Sequence, residues 1–354
     1  MATIRDVARH AGVSIASVSA VLNDSGRVGE DTRQRIWAAV ETVGYSPSSV
    51  ARSLRTGRSA LIGMAVGNIT NPFSAGLVRI VERAALAQGF SVIVCNAEDP
   101  DRIMSIINQM RGQQVAGILM APVCPAEPLI EQLGKRPFPP VVTFDQKIPG
   151  LPCDFVGVDN RAAIRMLVDY LVRLGHRRIA MINDRPGSWT SDERHVGFLD
   201  AMEEAGLDPD PTLISRTGFA SDTAAIATAA FLSRRDRPTA ILAANNVTAL
   251  GALQSCLDLG FHCPQEVSIV GVDDVPWSGL VRPRISIVAQ PVEEIGALAI
   301  QFLLERIATP EISIAPRERI FQPSIMVGES CRDIRGEAEA ARNATVFQER
   351  DVHA

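Results

Sequence analysis

The chain has 354 residues, 46% of them hydrophobic and 21% charged, with a formal net charge of −5. That composition excludes wholesale disorder, collagen-like repeats and a coiled coil, and no apolar run approaches the ~20 residues that span a bilayer. The acidic excess argues against a surface coated in positive charge for nucleic acid, yet leaves room for a small basic module. Residues 1–58 are such a module. Eight arginines against five acids give them +3, while the remainder, with 27 basic and 35 acidic residues, carries −8. At roughly 150 residues per domain, the length implies two or three compact units. The N-terminus lacks the basic-then-apolar pattern of a secretion signal. Six scattered cysteines (95, 124, 153, 256, 263 and 331) form no Cys-x-x-Cys pair, so a cytoplasmic chain with reduced thiols is expected.

Thr3 is placed to cap a short helix from about Ile4 to Ala11, with Gly12 as the turn residue and Val13 at the corner. Ser14 caps a second helix from Ile15 to about Leu22. On it Val18, Val21 and Leu22 share one face, while Ile15, Ala16, Ser19 and Ala20 share the other. A third helix starts near Glu30-Asp31-Thr32, whose acids suit its positive first turn, and ends at Gly44. Two short helices about a glycine turn, with a third across them, make a helix-turn-helix. Pattern alone leaves open a small helical bundle with no DNA role. From Pro47 to Gly57 the sequence suits a helix of little more than two turns, too short to persist without packing or a ligand. Leu54 sits there between Arg52 and Arg55. Linker packing would explain it, but beside a reading head it suits a wedge for the minor groove.

From about residue 60, short apolar runs alternate with longer helix-like segments. The strand candidates are 61–66, 91–95, 116–121, 141–144, 155–158, 179–182, 240–243 and 267–272. Helix candidates lie at about 74–88, 100–112, 160–174, 192–205, 221–233 and 246–259. Such alternation predicts an α/β class of parallel sheets with helices on both faces, and 270 residues of it implies two lobes. Ligands of such folds bind at the carboxyl ends of strands, here the cleft between the lobes.

Three stretches of the head carry a resemblance: Thr3-Ile4-Arg5-Asp6-Val7-Ala8, Ala11-Gly12-Val13-Ser14 and Ser17-Val18-Ser19-Ala20-Val21-Leu22-Asn23. With Gly44-Tyr45-Ser46-Pro47 and Ala51-Arg52-Ser53-Leu54-Arg55, they resemble the head and hinge of lac repressor-type (LacI/GalR family) regulators. In the body, Asn71-Pro72-Phe73, Gly157-Val158-Asp159-Asn160, Glu193-Arg194, Asn245, Gly271-Val272-Asp273-Asp274 and Gln290-Pro291 extend it to about residue 328. The resemblance implies a helix-turn-helix domain (1–46), a hinge helix (47–58) and a two-lobed, periplasmic-binding-protein-like effector and dimerisation domain (59–330). Its first lobe would be about 60–158 and 291–320, its second about 159–288 and 321–330. A polar tail (331–354) follows, expected as a frayed or partly helical extension without leucine heptads.

Carried onto this chain, the resemblance implies that Ile15, Ala16 and Ala20 face base edges and that Ser14, Ser17, Ser19 and Asn23 contact phosphates. Leu54 would intercalate at the operator centre, with Thr3, Arg52 and Arg55 completing the DNA-contacting set. Many relatives carry a long polar residue where this chain has Ala20. Its recognition helix therefore suits thymine methyl groups and lacks the bidentate arginine–guanine pair. For the cleft, Asp145, Asp273 and Asn245 offer partners to vicinal hydroxyls, and Arg194 offers a planar fork of donors. Phe73, Phe219, Trp189 and Trp277 supply apolar faces, and Asn71 and Gln290 stand at family positions. Phe73 and Phe219 have an alternative as plain core, and Arg194 as a surface ion-pair partner. Asn68, Asn246 and Ala116 stand where relatives often carry Asp.

The five histidines (10, 176, 195, 262 and 353) show no metal-binding spacing, and no nucleophile motif or phosphate-cradling loop appears. His176 suits a helix C-terminus. No catalysis, metal or cofactor is expected. The expected protein is a homodimeric, allosteric, cytoplasmic transcription regulator, a repressor by its family resemblance, on a palindromic double-stranded operator. Its expected effector is a carbohydrate, with a purine or other metabolite as the alternative and a sugar-transport protein as a remote one.

Overall fold

The computed structural model describes residues 2–22, 28–45, 59–122, 126–134, 138–216, 218, 220–309 and 315–336. Asn23, the hinge with Arg52, Leu54 and Arg55, Phe219 and most of the polar tail lie outside the described residues. The chain divides into two units, residues 1–60 and 61–354.

The head holds α1 (Ile4–Ala11), α2 (Ile15–Leu22) and α3 (Glu30–Val43). Local chemistry sets each start. Thr3 and Asp6 form a reciprocal capping box, the Thr3 N–H donating to Asp6 Oδ2 at 3.0 Å. The Ser17 N–H donates to Ser14 Oγ at 3.0 Å, so Ser14 opens α2. Gly12 ends α1 at φ +64°, a left-handed turn that a side chain would strain. Val7, Val18 and Ile36, one from each helix, are wholly buried against each other with Val21 and Ala39.

The body contains two six-stranded sheets of matching order. The first uses β1 (Leu61–Val66), β2 (Ser91–Asn96), β3 (Gly117–Met120), β4 (Val141–Phe144), β5 (Asp154–Val158) and β11 (Glu318–Phe321), ordered β11-β5-β4-β3-β1-β2. The second uses β6 (Ile179–Asn183), β7 (Ile214–Arg216), β8 (Ala240–Ala243), β9 (Ser268–Val272), β10 (Ser286–Ala289) and β12 (Ser324–Met326), ordered β12-β10-β9-β8-β6-β7. All pairings are parallel except β10 with β12. Helices α4 (Pro72–Ala87), α5 (Ile103–Gly112), α6 (Ala126–Gly134) and α11 (Val292–Ala308) cover the first sheet. Helices α7 (Asn160–Arg173), α8 (Trp189–Glu204), α9 (Ser221–Leu232) and α10 (Asn246–Asp258) cover the second. The chain passes between sheets after Val158, after Ala289 and between Phe321 and Ser324.

The long apolar strands and the helices between them form where the sequence indicates. Unanticipated are α6, α11 and four strands: β7, β10, β11 and β12. Strands β7, β11 and β12 stand at or beside sheet edges, where one exposed face allows the polar run Glu318-Arg319-Ile320-Phe321. At the start of β5, Asp154 is fully buried and receives Arg306 (2.6 and 2.7 Å) and Arg317 (2.8 Å). Burial alone would raise its carboxyl, but these hydrogen bonds hold it at about 2. They tie α11 and the approach to β11 onto β5.

The tail begins as packed structure and not as a frayed extension. The Ile334 N–H donates to Leu174 O at 2.8 Å, Ile334 is buried, and Cys331 packs against the second-lobe core. His176 is wholly buried, its Nδ1 2.9 Å from Thr239 Oγ1, so packing accounts for it more fully than a helix dipole does.

Candidate functional site

On the head, α2 turns its apolar side inward and leaves Ile15, 46% exposed, and Ala16 at the surface. Ser17, Ser19 and Ala20 are partly covered, and Thr3 and Ser14 are exposed. The Ser14 and Ser17 hydroxyls lie 2.9 Å apart and bond to each other. The exposed strip of α2 is therefore short and methyl-rich, with no long donor among its described residues.

In the body, the matching sheets place two aspartates at equivalent points. Asp145 follows β4 and Asp273 follows β9, and each donates its backbone N–H to the neighbouring strand, at Val156 O (3.0 Å) and Val288 O (2.9 Å). Both have positive φ, +58° and +69°. Non-glycine residues adopt this region at a strain of roughly 1–3 kcal/mol, which the surrounding structure must hold in place. At Asp145 the strain is a tight turn in which the Gln146 N–H reaches Phe144 O at 2.5 Å.

Arg194, on α8, is 96% buried and interacts electrostatically with both aspartates. Its Nε donates to Asn160 Oδ1 at 2.7 Å and its Nη1 to Ala244 O at 2.5 Å. Its Nη2 has no hydrogen-bond partner among the described residues. Gly197 lets α8 approach α7 closely, because a Cβ there would meet the Arg161 backbone at 2.8 Å. Burial pushes the Asp145 carboxyl up to about 7; Arg194 opposes the shift and Asp273 adds to it. Burial raises Asp273 as well, against Arg194 and the Gln290 amide, which donates to Asp273 Oδ1 at 2.9 Å. Gln290 Oε1 is buried without a partner among the described residues.

The structure thus gathers Asp145, Arg194, Asp273 and Gln290, from strand ends and a helix far apart in sequence. Other expected residues serve differently. Asn245 caps α10, accepting from the Thr248 N–H at 2.7 Å, so its carbonyl oxygen is committed to helix capping. Asn71 caps α4 and exchanges amide hydrogen bonds with Asn246 at 3.2 and 3.3 Å. Phe73 is half-buried against the first-lobe core. Trp189 packs edge-on to Phe155, centroids 5.3 Å apart. Trp277 is 47% exposed. Beside the Arg194 group, Asn246, Leu250, Asp273, Asp274 and Val275 border a shallow open indentation.

Sequence reasoning missed Asn160 as the residue that fixes Arg194, although it stands in a motif already noted. It also missed Gln146, Ser188 and Thr190, which no motif marks. Among the described residues no cluster of histidine, cysteine, aspartate or glutamate could hold a metal ion, and no helix is long and apolar enough to cross a membrane.

Comparison with known proteins follows this division. The bacterial regulatory proteins of the lacI family match residues 3–48, and the periplasmic binding protein-like domain matches residues 168–331. The HTH-type transcriptional repressor PurR of Aliivibrio salmonicida (strain LFI1238) is 33% identical over 308 residues, covering 87% of this chain and 92% of that protein. PurR of Vibrio vulnificus (strain CMCP6) is 32% identical over 337 residues, covering 94% and 100%. Among solved structures, the lac repressor dimer bound to operator and the anti-inducer ONPF superposes with a TM-score of 0.83 at 23% identity, covering 94% of this chain and 99% of that one. A complex of the transcriptional regulator CelR with cellobiose gives 0.70 at 28%, covering 93% and 100%. A putative ribose operon repressor from Burkholderia thailandensis gives 0.68 at 31%, covering 76% and 99%.

A helix-turn-helix head on a two-lobed α/β body defines a DNA-binding transcription regulator. The chain belongs to the lacI family of bacterial regulatory proteins, and its relatives are transcriptional repressors, not enzymes.

Proposed function

We propose that this repressor acts in the cytoplasm as a two-fold dimer on a palindromic operator, and that a small molecule bound between Asp145, Arg194, Asp273 and Gln290 sets its operator affinity. The carrying observation is the Arg194 guanidinium, buried and braced by Asn160 and Ala244 beside two carboxylates. The group offers carboxylate and amide acceptors with one guanidinium fork, which suits a neutral ligand bearing several donors and one acceptor edge. The relatives named PurR favour a purine over the sugar that the sequence first suggests. A purine presents ring N–H and amino donors to the aspartates and a ring nitrogen or keto oxygen to Arg194. Phe73, at the start of α4, offers its ring face. A sugar is the second reading, supported by the cellobiose-bound CelR and by the putative ribose operon repressor.

Dimerisation draws support from the lac repressor dimer, whose fold this chain shares. Thr3, Ser14, Ile15, Ala16, Ser17, Ser19 and Ala20 are the DNA-contacting residues of this reading among those described. Isothermal titration with hypoxanthine, guanine and adenine against ribose and cellobiose tests the ligand class. Tight binding of a purine alone is expected. A sugar alone would establish the second reading, and binding of neither would remove the sensing role from this site.

A further inference from the structure

We infer that closure of the cleft is held by the protein's own side chains, through two latches that join the lobes across it. In the first latch, Gln146, two residues beyond β4 of the first lobe, reaches the N-terminus of α8 in the second. Its amide donates to Thr190 Oγ1 at 2.7 Å and Ser188 Oγ at 3.1 Å. Its oxygen accepts from the Thr190 N–H and from the Ser188 hydroxyl, both at 3.3 Å. All three side chains are at least 96% buried.

Ser188 makes no side-chain cap of its own on α8. The first turn of the helix that carries Arg194 is therefore capped from the opposite lobe. A free backbone N–H at a helix start seeks an acceptor, and here closure of the cleft supplies it. The neighbouring Trp189 packs edge-on to Phe155 of the first lobe, adding an apolar contact to the same latch.

The second latch stands where the matching topology puts it. Helix α4 follows β1 as α8 follows β6. Its cap, Asn71, exchanges two amide hydrogen bonds with Asn246, which also donates to Asp274 O at 3.5 Å. Asp274 lies two residues beyond β9, as Gln146 lies two beyond β4. Each lobe thus sets the start of the helix after its first strand against the other lobe, α8 against Gln146 beyond β4 and α4 against Asn246 at the start of α10. All the latching groups are neutral, so salt screens them little. The latches supply part of the closing free energy from within the protein, so less of a ligand's affinity is spent on shutting the lobes. None of this depends on whether the ligand is a purine or a sugar.

The reporter is Trp189 itself. In the full chain carrying Trp37→Phe and Trp277→Phe, it is the remaining tryptophan, and acrylamide quenching measures its exposure without ligand. Losing one latch removes at least two hydrogen bonds, so the open population should rise at least about tenfold. Gln146→Ala and Thr190→Val should raise quenching, and Thr190→Ser, which keeps the hydroxyl, should not. The decisive variant is Asn71→Ala. It breaks the other latch, its hydrogen bonds among the described residues do not involve Trp189, and it should raise quenching only if the lobes part. Melting curves establish that each variant folds, and Ser188→Ala or Asn246→Ala breaks the same latch from the second lobe where one does not. Unchanged Trp189 quenching in folded Asn71→Ala or Asn246→Ala overturns the inference, because the contacts would then be local packing.

Discussion

Helix α2 of the head turns Ile15 and Ala16 outward and bonds the Ser17 hydroxyl to that of Ser14 at its start, whereas the cleft of the body surrounds a buried guanidinium with carboxylates and an amide. The first surface is built by eight consecutive residues, the second by residues up to 145 positions apart. A contiguous reading helix can change its target through one side chain and leave the fold alone. A cleft assembled from many strand ends resists such change, because each group also holds another: Arg194 binds Asn160, and Asn245 caps α10.

The largest effect expected to separate the two regions is structural. Ile36→Ala opens a cavity in a core of only a few buried side chains and should cost the head about 3–4 kcal/mol. DNA binding should fall sharply while calorimetric ligand binding to the body stays unchanged. A parallel loss of ligand binding would show that the two regions do not fold independently.

Arg194→Lys keeps the charge but removes the planar fork. It should weaken ligand binding on the order of 100-fold, leaving ligand-free operator binding intact. Gel shifts and titration calorimetry on the same preparation check both halves.

The third prediction concerns pH. A ligand that donates hydrogen bonds to Asp145 prefers its ionised form, and burial holds that carboxyl at about 7. Affinity should therefore rise up to about tenfold per pH unit between pH 5 and 7 and level off above, and Asp145→Asn should flatten the profile. The stability of the ligand-free protein runs the other way. The folded value lies above the ordinary 3.8, so the folded state retains the proton longer and loses stability as pH rises from about 4 to about 7. Urea titrations across that range check the sign.

The smallest effect is on the head. Ala20→Arg adds a long donor to a methyl-rich strip and should shift the preferred half-site toward guanine, with overall affinity changed only a few-fold. Selection from random DNA reads this, and an unchanged motif would mean that position 20 does not face bases.

The head was legible because its determinants are local. Thr3, Gly12 and Ser14 punctuate the helices, and Val18, Val21 and Leu22 fall at helical spacing. Most buried strands were legible as apolar runs, though the four-residue interior strand β10 was not; β7, β11 and β12 were missed because a short strand at a sheet edge needs neither length nor two apolar faces. Asp145, Arg194, Asp273 and Gln290 were found at strand-end and family positions, and their mutual arrangement came only from the fold. Gln146, Ser188 and Thr190 were invisible for a plain reason. Ordinary polar residues 42 and 44 positions apart acquire a role only when two lobes bring them within 3.3 Å. Trp277 is the converse case, a conspicuous aromatic near a motif that the structure leaves half-exposed.

The central claim is that occupancy of the Arg194 site changes DNA binding by the head. Fluorescence anisotropy of the selected operator, titrated with the native chain and with Arg194→Lys in the presence and absence of a purine that binds, tests it directly. The account predicts a ligand-dependent change of at least about fivefold for the native chain, within the usual range of allosteric coupling, and none for Arg194→Lys at the same ligand concentration. A ligand that binds the native chain without changing operator affinity, or a full response in Arg194→Lys, would contradict it.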